Sequence, residues 1–160
     1  MISYVKLKNF ISFGDICFDF RKTKSQVKNF AAIYGENGSG KTTLMNQLGA
    51  LDVPTTGDVL LEGRSIVGMT DPEKTDLRRR KMGFVFQSVA LMPMMTAREN
   101  VELALRLADI REGRKERVEE CLGLVGLSKR ADHFPQEMSG GEQQRVAIAR
   151  AGAHKPLLIL

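Results

Sequence analysis

The stretch from Gly35 to Thr42, GENGSGKT, limits what this chain can fold into more than any other feature. It fits the pattern G-x-x-x-x-G-K-[ST] at every fixed position. Glycines allow the backbone to come close to an anion and to take dihedrals that a Cβ forbids. Ahead of it, Phe30-Ala31-Ala32-Ile33-Tyr34 is short and mostly apolar, as a buried strand is. Behind it, Leu44, Met45, Leu48 and Leu51 recur at helical spacing over Thr42 to Leu51. Strand, glycine loop and helix together form a phosphate cradle, because loop N–H groups and the helix N-terminus point at the anion. The binding run is Gly35, Glu36, Asn37, Gly38, Ser39, Gly40, Lys41, Thr42 and Thr43. Lys41 is placed to reach the β and γ phosphates, and the Thr42 hydroxyl to ligate Mg²⁺.

A chain of 160 residues suits one domain with a sizeable core. No run of about 18 apolar residues occurs, and MISYVKLKNF lacks the apolar centre of a signal peptide. Cys17 and Cys121 are far apart and form no metal or redox motif, so a reduced, cytoplasmic setting is the default. The net charge of +5 could serve nucleic acid or an anionic membrane surface. The charge is scattered, however, and nucleic acid is not an expected partner.

Val5 and Leu7 alternate with Lys6 and Lys8, and Ile16, Phe18 and Phe20 with Cys17 and Asp19. This period predicts two half-buried antiparallel strands within residues 1–30, joined by Asn9 to Asp15. Arg21 to Asn29 is polar and basic and is expected as an exposed loop. Pro54 to Gly57 forms a turn, and Val59-Leu60-Leu61 a short strand stopped by Gly63. Asp71-Pro72 opens a helix to about Lys81, with Arg78 to Lys81 a basic run on a solvated face. Gly83 to Gln87 is a short apolar strand that ends on a polar side chain.

Thr96 with Glu99 predicts a capping box and a helix to about Ala108, offering Val101, Leu103, Leu105 and Leu107 to a core. A second helix, about Glu112 to Val125, carries Val118, Cys121, Leu122 and Val125 on one face. Met92, Met94 and Met95 precede this pair and suit either a docking surface or core packing. Ser139 is a natural N-cap for a helix that presents Val146, Ala149 and Ala153 on one face and ends before Pro156. Leu157 to Leu160 suits a buried parallel strand.

GENGSGKT, Gln87 after FVFQ, and MSGGEQQRVAIAR together resemble the nucleotide-binding domain of ABC transporters. LGALDVPTTGDVLLEG, MGFVFQSVALMP and MTARENVELAL are similar to the ATPases of lipoprotein-release and macrolide-export systems. The resemblance implies an α/β fold: a P-loop NTPase with a RecA-like core and mainly parallel sheet, an N-terminal antiparallel β layer and a helical insertion. The β layer is 1–30, the core 31–88 and 139–160, and the helical subdomain 89–138. ATP and Mg²⁺ are the implied cofactors. The implied partners are a transmembrane permease subunit and a second nucleotide-binding domain paired head to tail, at the inner face of the cell membrane. In that pairing Ser139, Gly140 and Gly141 face the γ-phosphate held by the other domain. Lys41, Gln87, Ser139 and Gly141 are then the catalytic set, with Thr42 and Gln87 at the metal. Phe13 matches the aromatic on which the family stacks adenine; a core role is the alternative.

Two features depart from the family's pattern. VKLKNFISFGDICFDF and KNFAAIYGENGSGKT look more like the start of chromosome-maintenance and recombination ABC-type ATPases. Those carry a very long coiled coil between their halves, for which the span from Gln87 to Ser139 is far too short. LLIL is what precedes the family's Asp–Glu pair, in which the Asp helps to hold Mg²⁺ and the Glu polarises water. On that alignment the chain is a truncated member with impaired hydrolysis. His154 is expected at the surface and His133 has no assigned role. Residues 157–160 would form a strand short of neighbours, so a polypeptide of residues 1–160 is expected to be marginally stable. A cooperative calorimetric melt with a high midpoint would contradict that expectation.

Overall fold

A computed structural model of the chain describes residues 4–7, 16–19, 21–23, 26–27, 41–54 and 57–160. It forms two compact units, Met1–Arg78 and Arg79–Leu160. The strand expected at 30–34, the loop Gly35 to Gly40 and Phe13 lie outside the described residues.

In the first unit, β1 (Tyr4–Leu7) pairs antiparallel with β2 (Ile16–Asp19). The register sets Val5 opposite Phe18 and Leu7 opposite Ile16, joining the apolar positions of both strands as their alternation requires. Arg21 to Asn29 is not simply a loop, because β3 (Arg21–Thr23) and β4 (Gln26–Val27) pair within it. Strands of three and two residues are too short to carry an alternation that would announce them. Lys41–Leu48 forms α1, which buries Leu44 and Leu48. Leu51, expected on that helix, lies beyond it and is 53% exposed. The helix stops because Ala50 takes a left-handed φ of 53°, while Gly49 N–H donates to the Met45 carbonyl.

Strand β5 (Gly57–Asp58) adds to the free edge of β1. A hairpin of β6 (Leu60–Leu61) and β7 (Arg64–Ser65) follows. Glu62 and Gly63 turn it with φ of 53° and 79°, the sense that suits the right-handed twist of a hairpin. Val59, Leu61 and Ile66 are its buried side chains. Helix α2 (Asp71–Lys81) starts where predicted; the Glu73 carboxylate accepts from the Thr70 N–H at 2.9 Å and holds that start. Arg78 is half-buried rather than part of a solvated run, because it donates to the Ala50 carbonyl at 2.7 Å.

The second unit is built on three helices. α3 (Ala97–Leu107), α4 (Arg114–Leu124) and α5 (Gly140–Gly152) share one core. It contains Val101, Leu105, Val118, Cys121, Leu122 and Val146, with the small faces of Ala149 and Ala153. The capping box at Thr96 and Glu99 is present as predicted. Leu107, offered to the core by sequence, is 56% exposed, because a helix has only one face toward two neighbours. Arg117 closes the C-terminal end of α5 by donating to the carbonyls of Gly152 and Ala153 at 2.9 and 2.7 Å. A cation there also complements the helix dipole.

The parallel pair expected near the chain's end is present. β8 (Met82–Gly83) pairs with β9 (Leu158–Ile159), and Val85 N–H continues the ladder to the Leu160 carbonyl at 2.7 Å. The strand is shorter than Gly83 to Gln87, and beyond it Phe86 is 49% exposed. Nor is β9 fully buried: Ile159 is 51% exposed, and among the described residues β8 is its one paired neighbour. His154 is half-buried, not a surface residue, and its Nε2 lies 3.0 Å from the Met82 carbonyl. Burial holds its pKa below the ordinary imidazole value.

Gly83 is where β8 crosses the last turn of α5. A Cβ there would collide with the Ala151 carbonyl, and backbone cannot swing aside as a side chain can. Gly83→Ala is therefore expected to destabilise the protein by about 3 kcal/mol or more, read from urea denaturation. A loss under about 1 kcal/mol would show that the strand and helix can separate at little cost.

Candidate functional site

Three separate places carry the residues singled out by sequence. Lys41, Thr42 and Thr43 form the first turn of α1, and the two threonines are exposed. The amides of a helix's first turn have no intrahelical acceptor, and no carboxylate occupies this turn. An anion is thus favoured there by both the free N–H groups and the dipole.

Gln87 is exposed, on the segment that leaves the β8–β9 pair. That segment has little regular structure, yet side chains from the helices hold it. Arg150 of α5 donates to the Ala90 carbonyl. Asn100 of α3 is fully buried and saturated. Its Oδ1 accepts from Met92 N–H at 2.8 Å, and its Nδ2 donates to the carbonyls of Met92, Met95 and Thr96. Of the methionines on this turn, Met94 is 86% exposed and Met92 45%, so neither is core. Sequence reasoning passed over Asn100. Its only sequence signal is a polar residue at a core position of an otherwise apolar helical face.

Ser139, Gly140 and Gly141 stand at the start of α5, where Ser139 is the N-cap. The Ser139 Oγ accepts from Glu142 N–H at 3.3 Å. In return, Glu142 Oε2 accepts from the Ser139 N–H at 2.8 Å and from its hydroxyl at 2.9 Å. The other carboxylate oxygen, Oε1, accepts from Arg130 Nε at 3.0 Å. Arg130 ends the short 3₁₀ turn Ser128–Arg130 that follows α4. Gln143 fixes the approach to the cap by donating to the carbonyls of Pro135 and Met138 at 2.8 and 3.1 Å. Gly140 has open space where a Cβ would be, and the Arg145 guanidinium lies 3.8 Å from a Cβ built at Gly141. The first turn of α5 thus presents unpaired amides flanked by a cation.

The Glu142 carboxyl is held down to about 2, first by the Ser139 N–H and then by Arg130 and the Ser139 hydroxyl. Sequence reasoning missed Arg130, which lies 12 residues from Glu142 and is brought close only by the turn after α4. Among the described residues no hydrogen bond joins Gln87 to Ser139 or Gly141.

The family model described as "ABC transporter" matches residues 22–160. An uncharacterized ABC transporter ATP-binding protein of Thermotoga maritima is 52% identical over 132 residues, covering 82% of this chain and 56% of that protein. The Methanocaldococcus jannaschii protein MJ0796, described in the same words, is 43% identical over 98% of this chain and 71% of its own length. The Bacillus subtilis protein YknY is 47% identical over 82% of this chain and 57% of its own length. The chain therefore spans little more than half of two of these relatives. A dimeric structure of MJ0796, described as an ATP-binding cassette in a post-hydrolysis state bound to ADP and Pi, superposes with a TM-score of 0.72 at 38% identity. It covers 97% of this chain and 69% of that one. The expected fold class, that of a P-loop NTPase, is the fold of this chain.

Glu142 gives a pH prediction. Its folded pKa is depressed from an unfolded value of about 4.3. The stability it contributes is therefore complete above that value and is lost as pH falls through about 2. In a carboxylate NMR titration, Glu142 should titrate near 2, and Arg130→Met should move it upward. An ordinary glutamate titration in the unsubstituted protein would mean that the cap is not formed in solution.

Proposed function

This chain belongs to the ABC transporter family, and from that premise we propose that it binds MgATP and works as the nucleotide-binding element of an export system. The observation that carries the reading is the pair of anion-ready helix starts: Lys41 to Thr43 on α1, and the capped turn Ser139 to Gly141 on α5. Gly35 to Gly40 would cradle the phosphates, Lys41 would reach the β and γ groups, and Thr42 and Gln87 would hold Mg²⁺. Phe13 stacks the adenine. The fit rests on donor chemistry: a threonine hydroxyl and an amide oxygen are hard oxygen donors of the kind Mg²⁺ accepts, and bare amides suit phosphate.

Lys41, Gln87, Ser139 and Gly141 form the catalytic set, with Ser139 and Gly141 acting on nucleotide bound by a second copy. The dimeric state described for MJ0796 supports that pairing. The wording of LGALDVPTTGDVLLEG and MTARENVELAL supports the lipoprotein-release or macrolide-export type. The partner is then a transmembrane permease subunit, with this chain peripheral at the cytoplasmic face. Among the described residues no helix is long and apolar enough to cross a membrane itself. The 1–30, 31–88 with 139–160, and 89–138 segments serve as β layer, core and helical subdomain.

Catalysis at such a site is positioning and charge stabilisation of the transferring phosphoryl group. The chain's own residues bind and orient: Lys41 offers a point charge to the phosphates, while Ser139 and the Gly141 amide offer hydrogen bonds. A Mg²⁺ ion held by Thr42 and Gln87 would supply Lewis-acid charge to the phosphates. The chain is therefore expected to bind MgATP. Lys41→Ala should weaken that binding by about a hundredfold, the worth of a charge-assisted hydrogen bond, in titration calorimetry. Equal affinity in the two proteins would sink the assignment of Lys41.

A further inference from the structure

The capped start of α5 contains one interaction that capping does not require. Glu99 completes an equivalent box at Thr96, accepting from its N–H at 2.8 Å and hydroxyl at 3.1 Å, and among the described residues no guanidinium hydrogen bond reaches its carboxylate. Glu142 makes the same two bonds to Ser139 and takes Arg130 Nε in addition, at 3.0 Å. The Glu142 side chain is 17% exposed and that of Arg130 40%, so the pair is screened less than two fully exposed charges.

Two consequences follow from charge and proton positions. An ionised carboxylate at the third residue of α5 favours the helix but disfavours a phosphate arriving at the same turn. The Ser139 hydroxyl also gives its only proton to Glu142 Oε2, so a phosphate oxygen must compete with a carboxylate for it. A guanidinium on Oε1 withdraws negative charge from the carboxylate and lowers both penalties. It also fixes the carboxylate so that the Ser139 N–H remains satisfied when the hydroxyl turns away.

We propose that Arg130 is a positioning residue of the α5 anion site, neutralising and orienting Glu142 so that Ser139 and Gly141 can accept the γ-phosphate of nucleotide bound to a second copy. This rests on the functional reading above. Loss of Arg130 is expected to weaken nucleotide-driven association of two copies while leaving nucleotide binding to each copy unchanged. Loss of the Glu142 charge is expected to remove the need for Arg130.

The test is a cycle of the unsubstituted protein, Arg130→Met, Glu142→Gln and the double variant. Each is measured for MgATP affinity by calorimetry and for MgATP-dependent dimerisation by sedimentation, at low and at 0.5 M salt. Circular dichroism confirms that each variant folds. Arg130→Met should weaken dimerisation by about tenfold at low salt, with unaltered nucleotide affinity, and Glu142→Gln should restore it to within about threefold. The defect should shrink at high salt. Arg130→Met that dimerises like the unsubstituted protein overturns the proposal. So does a double variant no better than Arg130→Met, because a purely structural role would not be rescued by removing the opposing charge. If the unsubstituted protein binds MgATP but never dimerises, the functional reading of α5 fails and this inference fails with it.

Discussion

The second unit depends on how closely α5 can lie against its neighbours. Val146 is its one large core residue; Ala147, Ala149, Ala151 and Ala153 are otherwise what it buries. Small side chains let backbones approach, and the approach is used twice. On one side, Val101 and Leu105 of α3 and Val118, Cys121 and Leu122 of α4 fill the space. On another, Gly83 of β8 sits against Ala151 with no room for a Cβ. Dense packing of this kind makes α5 a rigid rod with few alternative placements. Whatever its first turn does is thereby tied to where β8, and the segment that leaves it, are held.

One local device recurs at the starts of helical segments. Glu73, Glu99, Glu137 and Glu142 each reach back to the backbone N–H of the residue three earlier: Thr70, Thr96, Phe134 and Ser139. The geometry satisfies an otherwise orphaned donor and places a negative charge at the positive end of the dipole. Repetition of the device has a physical reason. It depends only on residues three apart, so it needs no tertiary contact to mark where a helix begins. At α5 the same device meets an added demand, because a site meant for phosphate cannot carry an uncompensated carboxylate. Arg130 answers that demand.

How much of this was legible in the sequence follows from interaction range. The capping box at Thr96 and the N-cap at Ser139 were visible because each rests on residues close in the chain. The β1–β2 pair was visible from period-two alternation. The buried faces of α3, α4 and α5 followed from helical spacing, except at Leu103 and Leu107, whose direction only the packing of two neighbours decides. The β3–β4 pair was hidden, because strands of three and two residues are too short to show an alternation. Arg130 on Glu142, Arg150 on the Ala90 carbonyl and Arg117 on the end of α5 were equally hidden. Each joins residues far apart in the chain, and a surface arginine has no sequence mark that tells a tether from a solvated charge. The phosphate-loop pattern was the plainest feature of the sequence, and its glycines lie outside the described residues.

The segment after Gln87 shows why those long-range arginines matter. It has almost no secondary structure to stiffen it, and it leaves Met92 and Met94 exposed. Left to itself such a stretch would sample many backbone states, at an entropic cost of about 1–2 kcal/mol per residue to order. Two polar side chains supply the restraint instead. Asn100, buried and saturated, closes the turn from Met92 to Thr96 from inside α3. Arg150, on α5, holds the carbonyl of Ala90, and burial lowers its pKa, so the guanidinium gives up hydration to make that contact. Because α5 carries Ser139 at its other end, the segment following Gln87 and the capped anion site are fixed to one rod. A shift of α5 that moved Ser139 would move the carbonyl of Ala90 with it, unless the Arg150 bond broke first.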